Sequence, residues 1–291
     1  MEKKICFVVP TLPRDFHYGI SLMKSFQKYQ LDEQADLYFI FTTPEDRDGF
    51  LPCRSIVLPK SLRIKKNEGI DNIKKIYALM QLKEKYEYII SIDDKCLFCR
   101  KVDLMDVCTS FFEEKVLYGN IVENSFCDFA NTIPTLCKKF FPKNAQKKVN
   151  CRLYLWYNQI PVYRTSDLRT FFKLTHMGKR IHNLTYNDYD YYIYMFYLIA
   201  YCGFEVVDTG IVADLGSTEL VEGSKFKIAN GYESSHLRIA TQYTTNILHL
   251  PNVFIFIHQD RESADQKKHS SKILQLMGAM VSYFKIKKTL S

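Results

Sequence analysis

Two adjacent carboxylates, Asp93 and Asp94, follow an apolar run that is typical of a buried strand in the stretch KYEYIISIDDKCLFCR. Carboxylates are not buried without partners, so a strand that ends in an acid pair places charge at the edge of a sheet. Such an edge commonly presents a divalent cation or a sugar nucleotide to solvent. The next residue is Lys95, where a metal site would be expected to have a third acid.

Further polar residues follow the first apolar run, ICFVVP, and begin the helix that precedes the acid pair. Thr11, Arg14 and Asp15 lie just after the run, where they can either meet a ligand or satisfy the backbone of the loop. Asn72 and Lys75 lie near the N-terminus of the predicted helix. The helix dipole disfavours a basic side chain there unless an anion is close, which favours a contact between Lys75 and a phosphate.

A second pair of acids lies in the stretch TYNDYDYYIY, at the start of a predicted buried helix. Asp188 and Asp190 are the candidates for a general base in this half of the chain. Thr185 and Asp188 have close to the spacing of a capping box, so helix capping competes with catalysis as the role of Asp188. Capping is a weaker competitor for Asp190.

Strand and helix patterns alternate through the first hundred residues. The predicted strands are 5–9, 36–41, 55–58 and 88–92, and the predicted helices are 19–29 and 70–85. This alternation is typical of an α/β fold with a mostly parallel, Rossmann-like sheet flanked by helices. Later strand patterns predict that a mixed second half completes the same sheet, at residues 154–156, 162–164, 204–207 and 253–257.

The chain has 291 residues, enough for one large core, and shows no internal repeat or low-complexity linker. We expect a single domain over residues 1–271, with a first half over 1–100 and a second half over 101–271. Residues 272–291 have the spacing of an amphipathic C-terminal helix with a cluster of lysines near its end. This helix either docks on the core or rests on an anionic membrane surface.

The net charge and the cysteines indicate which partners and which cellular compartment to expect. Forty Lys and Arg residues against 32 Asp and Glu residues give a net charge of +8, which favours anionic partners such as nucleotide phosphates or phospholipid surfaces. Nine cysteines without regular spacing favour a reducing compartment. We expect a cytoplasmic protein, peripheral on the inner face of the membrane, and no pattern indicates a nucleic-acid partner.

Three segments together resemble the GT-A glycosyltransferases: the strand and loop ICFVVPTLPRD, the helix GIDNIKKIYALMQL, and the strand with its acid pair YIISIDDK. The resemblance covers roughly the first hundred residues well and the remainder loosely. It implies that residues 1–100 bind a nucleotide-sugar donor and that residues 101–271 bind the acceptor. The expected donor-binding residues are Thr11, Arg14, Asp15, Asn72, Lys75, Asp93 and Lys95.

In this family a short acidic signature holds a divalent cation on the diphosphate, and a late histidine can add a ligand. The resemblance therefore implies a Mn²⁺ or Mg²⁺ site formed by Asp93, Asp94 and His258. Lys95 departs from the signature and leaves three interpretations: other ligands complete the metal site, Lys95 itself faces the diphosphate, or the site is degenerate. Two adjacent acids would repel a diphosphate unless a cation lies between them, so the metal is the preferred interpretation.

The expected function is transfer of a sugar from a nucleotide-sugar to a glycan or glycolipid acceptor. The synthesis of a surface polysaccharide, such as lipopolysaccharide or capsule, would fit a basic protein at a membrane. Trp156 is a candidate platform for an acceptor sugar. The alternatives are a sugar nucleotidyltransferase, which the lack of a glycine-rich phosphate loop disfavours, and a catalytically degenerate protein that binds glycans or nucleic acid.

Overall fold

The structure, a computed structural model, describes residues 2–63, 69–98, 101–119, 132, 135–149, 161–208, 226–231 and 254–259. Trp156 and the expected helix 272–291 lie outside these residues. The strands are β1 (Ile5–Pro10), β2 (Ala35–Phe41), β3 (Arg54–Val57), β4 (Tyr88–Ser91), β5 (Cys96–Phe98), β6 (Val116–Gly119), β7 (Val162–Arg164), β8 (Glu205–Asp208), β9 (Phe226–Gly231) and β10 (Phe254–Gln259). The helices are α1 (Phe16–Lys28), α2 (Pro44–Asp48), α3 (Ile70–Leu82), α4 (Leu104–Glu114), α5 (Lys143–Gln146), α6 (Thr165–Thr175), α7 (Met177–Arg180) and α8 (Asp190–Tyr201).

Five strands form the central sheet, in the order β3-β2-β1-β4-β7. The first four of these run parallel, and β7 joins the edge antiparallel to β4. Parallel strands are apolar along their whole length when helices cover both faces, and every residue of β1 is buried. The expected fold class, an α/β fold with a mostly parallel sheet flanked by helices, is confirmed.

The second half of the chain completes this sheet only in part. Residues 162–164 join it as predicted, but β8 pairs with β6, and β10 pairs with β5 and β9, in two smaller sheets. The expectation that the strands near residues 204–207 and 253–257 extend the central sheet is therefore wrong. The edge of β4 is already occupied by β7, whereas β5 offers a new edge after the chain turns at the acid pair.

Two helices bring polar residues to the central sheet. α3 packs on β1, β2 and β4 and buries its apolar face, including Ile73, Ile76 and Leu79. α8 is apolar on nearly all sides and is buried along most of its length, as expected for a helix inside a large core. In the described part of the chain, the helices are too short or too polar to cross a bilayer.

The carboxyl ends of β1 and β4 lie side by side at one edge of the sheet. Val8 pairs with Ser91, and the backbone N–H of Ile92 donates to the Val8 carbonyl at 3.1 Å. Thr11 follows β1 and the acid pair follows β4, so these residues leave the sheet together. In parallel α/β sheets this edge is where ligands bind.

Candidate functional site

Asp94 is the buried member of the acid pair, with 5% of its side chain exposed. Its Oδ2 accepts a hydrogen bond from the Thr11 hydroxyl at 2.9 Å, and the Lys95 ammonium lies 3.6 Å from its Oδ1. Burial raises the pKa of Asp94 to about 6, although Lys95 and Thr11 act to lower it. Both carboxylate oxygens of Asp94 are therefore engaged by side chains of the chain itself.

Asp93 is the accessible member, with 35% of its side chain exposed. Lys75 Nζ lies 3.0 Å from Asp93 Oδ1 and 4.0 Å from Asp190 Oδ1. Burial acts to lower the pKa of Lys75, but the charges of Asp93 and Asp190 outweigh it and hold the pKa above its usual value. A charged Lys75 therefore joins the end of β4 to the start of α8.

Asp190 is the first residue of α8 and is 1% exposed. The phenol of Tyr163, on β7, donates a hydrogen bond to Asp190 Oδ2 at 2.5 Å. Burial and the charge of Asp190 raise the pKa of Tyr163 well above its usual range, so the phenol keeps its proton. A carboxylate at a helix N-terminus is also favoured by the helix dipole.

The segment before α8 is fastened to the N-terminus of α3. Asn72 Nδ2 donates to the backbone carbonyls of Thr185 at 2.8 Å and Tyr186 at 3.2 Å. Gly69 lies so close to this segment that an added Cβ would be 2.5 Å from the Leu184 carbonyl oxygen. This close packing fixes where α8 begins and therefore where Asp190 lies.

Asp188 lies in the same segment and is 1% exposed. Its Oδ2 accepts hydrogen bonds from the backbone N–H of Thr185 at 2.8 Å and from the Thr185 hydroxyl at 2.9 Å. Lys139 Nζ lies 2.5 Å from its Oδ1. These contacts hold the turn before α8, whereas Asp190 is the acid that the structure brings within reach of Lys75.

The loop after β1 contains one exposed and one buried charge. The Arg14 side chain is 64% exposed, and its Nε lies 3.5 Å from Asp15 Oδ2. Asp15 is 6% exposed at its side chain. The Arg14 guanidinium is therefore open to a ligand at this edge of the sheet, and Asp15 lies behind it.

The described residues do not form a metal site on their own. No group of three His, Cys, Asp or Glu side chains close enough to hold a metal occurs among them, and the carboxylates of Asp93 and Asp94 each have an ammonium partner. The backbone of His258 pairs with Cys96, close in sequence to the acid pair, but its side chain lies outside the described residues. The expected Mn²⁺ or Mg²⁺ ion stays a prediction.

Sequence reasoning missed three residues that shape this site: Gly69, Lys74 and Tyr163. Lys74 is fully buried. The sequence does indicate this burial, because Lys74 shares a helix face with Ala78 and Leu82 at intervals of four residues. Gly69 directly precedes the helix, and no adjacent residue in the sequence indicates that it is closely packed. Tyr163 follows Val162 in a strand, where a buried tyrosine is usually a core residue.

Comparisons with known proteins give similarities of fold only. The chain is similar to the galactosyltransferase LgtC in complex with donor and acceptor sugar analogs, with 11% identity, a TM-score of 0.42, and coverage of 94% of this chain and 95% of that chain. It is also similar to the mannosyltransferase Ktr4p from S. cerevisiae, with 13% identity, a TM-score of 0.36, and coverage of 68% and 66%. The similarity to TarS from S. aureus has 14% identity, a TM-score of 0.35, and coverage of 68% and 33%.

The chain thus spans about a third of the length of TarS and just under two thirds of Ktr4p. No family model and no curated protein matches the sequence. Two of the similar structures are named as sugar transferases, the class of protein that the sequence resembles. Every one of these TM-scores is below 0.5.

Proposed function

We propose that the protein is a glycosyltransferase that takes a sugar from a nucleoside diphosphate donor. The observation that carries this proposal is the pairing of lysines with acids at the carboxyl edge of the sheet. Lys75 Nζ lies 3.0 Å from Asp93, and Lys95 Nζ lies 3.6 Å from Asp94. Cations at such an edge suit a diphosphate, which gains negative charge as the sugar leaves.

In this proposal Lys75 and Lys95 supply the counter-charge for the diphosphate. Before the donor binds, Asp93 and Asp94 hold the two ammonium groups in place. Lys75 and Lys95 have 15% and 16% of their side chains exposed, so they line the site without extending freely into solvent. Positive charge that is held in place before the reaction costs no reorganisation when the bond breaks.

The remaining predicted residues receive roles that follow from their exposure. Asp93 and Arg14 are accessible, so we assign them to hydroxyl and phosphate groups of the donor. Thr11 holds Asp94, and Asn72 holds the segment before α8. Asp190 is 1% exposed, and its oxygens are engaged by Tyr163 and Lys75, so we propose that it holds Lys75 in place for the diphosphate and does not itself receive the proton of the incoming hydroxyl.

Of the two roles that the sequence left open for Asp188, catalysis and capping, its contacts favour the second. Its oxygens are taken up by Thr185 and Lys139. We therefore propose that Asp188 holds the turn that presents Asp190. This proposal departs from the expectation from the sequence, in which a Mn²⁺ or Mg²⁺ ion is the preferred counter-charge. Such an ion would need ligands beyond Asp93 and Asp94, and His258 is the candidate for one of them.

The experiment that tests the donor assignment is thermal unfolding with a panel of nucleoside diphosphates and nucleotide-sugars. A ligand at 100 times its dissociation constant stabilises the native state by about 2.7 kcal/mol, which raises the melting temperature measurably. We expect at least one compound to do so, and Asp94→Ala to lose both this shift and turnover while staying folded. Asp48→Ala, at an exposed acid on α2, is the matched control.

Wild-type turnover by Asp94→Ala would contradict the donor assignment.

The acceptor is proposed to be a glycan or a glycolipid at the inner face of a membrane, in the synthesis of a surface polysaccharide. The positive net charge of +8 supports contact with an anionic surface. In this setting the protein is cytoplasmic and peripheral on the membrane.

A further inference from the structure

Lys74 is a fully buried lysine directly behind the acid pair. Its side chain is 0% exposed, and lysines are almost never fully buried unless they have a partner. Nζ donates a hydrogen bond to the backbone carbonyl of Thr11 at 2.6 Å. The carboxylate of Asp71, which is half-exposed on the same helix, lies 3.9 Å away.

Thr11 is held from three directions. Its backbone N–H donates to the Ile40 carbonyl at the end of β2 at 3.2 Å, and its carbonyl accepts from Lys74. Its hydroxyl donates to Asp94 Oδ2 at 2.9 Å. Lys74, Thr11 and Asp94 therefore form one chain of hydrogen bonds that runs from α3 through the end of β1 to the acid pair.

The burial of Lys74 decides how it can act. A side chain with no exposed surface does not touch a donor that arrives from solvent, so its influence passes through Thr11. Replacing Lys74 would leave the Thr11 carbonyl without this donor, and an unpaired buried carbonyl is costly. Neighbouring Lys75 lies about 100° further around the helix and points to Asp93 instead.

We propose that Lys74 is a positioning residue of the donor site. By holding the Thr11 carbonyl, Lys74 fixes the Thr11 hydroxyl on Asp94 and the path of the loop that carries Arg14 and Asp15. This inference rests on the proposed function, in which that edge of the sheet binds a nucleoside diphosphate. The lysine is thus a structural residue that sets the geometry of a binding site.

Amide hydrogen exchange without any ligand tests the chain of contacts itself. We expect Lys74→Met to speed exchange in residues 11–15 and 93–95 while α8 keeps its wild-type rate. Lys83→Met, directly after the same helix at a lysine that pairs with its neighbour Glu84, is the control and is expected to change neither segment. A folded Lys74→Met protein with wild-type exchange in residues 11–15 would overturn the proposal.

Thr11→Val provides a second variant in case Lys74→Met does not fold. It removes the hydroxyl but keeps the carbonyl that Lys74 holds. The proposal expects faster exchange at residues 93–95 in this variant, because Asp94 loses its partner. Unchanged exchange there would overturn the proposal independently of Lys74→Met.

Binding of uridine diphosphate, or of the panel compound that binds best, tests the link to function. We expect Lys74→Met and Thr11→Val each to raise the dissociation constant at least about tenfold, the scale of one hydrogen bond to a charged group. Both substitutions act through one chain of contacts. In the double variant we therefore expect the dissociation constant to rise by less than the product of the two single-variant increases. The positioning role would be overturned if the two increases in the dissociation constant multiply in the double variant, or if Lys74→Met binds with wild-type affinity.

The two experiments separate the failure of this inference from the failure of the proposed function. If the wild-type protein binds no nucleoside diphosphate or nucleotide-sugar, the proposed function is wrong. The exchange experiment still decides whether Lys74 positions Thr11 and Asp94. If the wild-type protein binds and the exchange rates do not change, only the role of Lys74 is wrong.

Discussion

Adjacent residues at this site have different roles because the backbone points them in different directions. Asp93 is accessible and Asp94 is buried, although both follow the same strand. Lys74 reaches Thr11, whereas Lys75 reaches Asp93 and Asp190. Asp93 and Lys75 are thus placed to meet a ligand. Their sequence neighbours, Asp94 and Lys74, hold the surrounding structure in place.

Removing Lys75 tests the pairing at the level of single residues. Lys75→Met would leave Asp190 buried without its cation. Breaking a fully buried ion pair costs about 3–5 kcal/mol, and because Asp93 is 35% exposed we expect a smaller loss of stability, about 1–3 kcal/mol. Chemical denaturation measures this free energy of unfolding directly.

The double variant Lys75→Met/Asp190→Asn serves as the control for this charge argument. It removes the cation together with its buried carboxylate, so we expect it to recover part of the lost stability. An equal or larger loss in the double variant would show that Lys75 stabilises the protein by packing alone. Turnover is expected to be lost in both the single and the double variant.

At the residue scale, the sequence predicted the position of the acid pair and singled out Lys95. It did not show which acid is exposed, because alternation along a strand leaves open which face is covered by the rest of the chain. It also did not distinguish Lys74 from Lys75 or give Lys74 a role in the site. The spacing of α3 places Lys74 on a buried face, but its partner, the carbonyl of Thr11, is 63 positions away and is not visible in any local pattern.

At the element scale, α3 connects the parts of the site. Its N-terminus holds the segment before α8 through Asn72, and its second turn supplies Lys74 and Lys75. The packed contact at Gly69 sets the distance between α3 and this segment. The position of Asp190 is therefore a property of how two elements pack.

Gly69→Ala tests this packing. A Cβ at Gly69 would lie 2.5 Å from the Leu184 carbonyl oxygen and 2.7 Å from the Thr185 carbonyl carbon, so the segment must move. We expect a loss of about 1–3 kcal/mol in stability, the usual cost of overpacking, and a loss of turnover from a displaced Asp190. The φ of Gly69 is −88°, so alanine is not excluded by backbone conformation.

Gly178→Ala, on α7, is the matched control for this substitution. Its Cβ would meet only the flexible side chain of Met80, at 3.5 Å. Alanine favours the helix over glycine by roughly 0.5–1 kcal/mol, so we expect equal or slightly higher stability and unchanged turnover. Equal behaviour of the two variants would contradict the role given to the contact at Gly69.

At the scale of the whole molecule, the parallel sheet and its helices were predictable and the arrangement of the second half was not. The patterns of residues 5–9 and 36–41 lie in strands of the structure, as does 88–92 except for its last residue, because buried parallel strands are largely apolar. Periodicity shows that a strand exists but not which strand it pairs with. β8 and β10 were therefore recognised as strands and assigned to the wrong sheet.

The basic C-terminal segment belongs to this scale as well. We predict that deletion of residues 272–291 leaves the protein folded and weakens its binding to anionic vesicles, because each lysine near such a surface contributes about 1 kcal/mol. Vesicle co-sedimentation at low and physiological salt measures this, with neutral vesicles as the control. Aggregation or early melting of the truncated protein would instead identify the segment as a core helix.

The most direct test of the central claim is calorimetric binding of a nucleoside diphosphate in the presence of a chelator. We predict that the wild-type protein binds with an affinity that added Mn²⁺ does not increase, and that Lys95→Ala weakens binding by about 100-fold, near the upper end for a contact with a charged group. Lys60→Ala, at a lysine distant in sequence from the acid pair, is the control. Binding that vanishes in the chelator and returns with Mn²⁺ would contradict the lysine counter-charge, and absence of binding under both conditions would contradict the donor site.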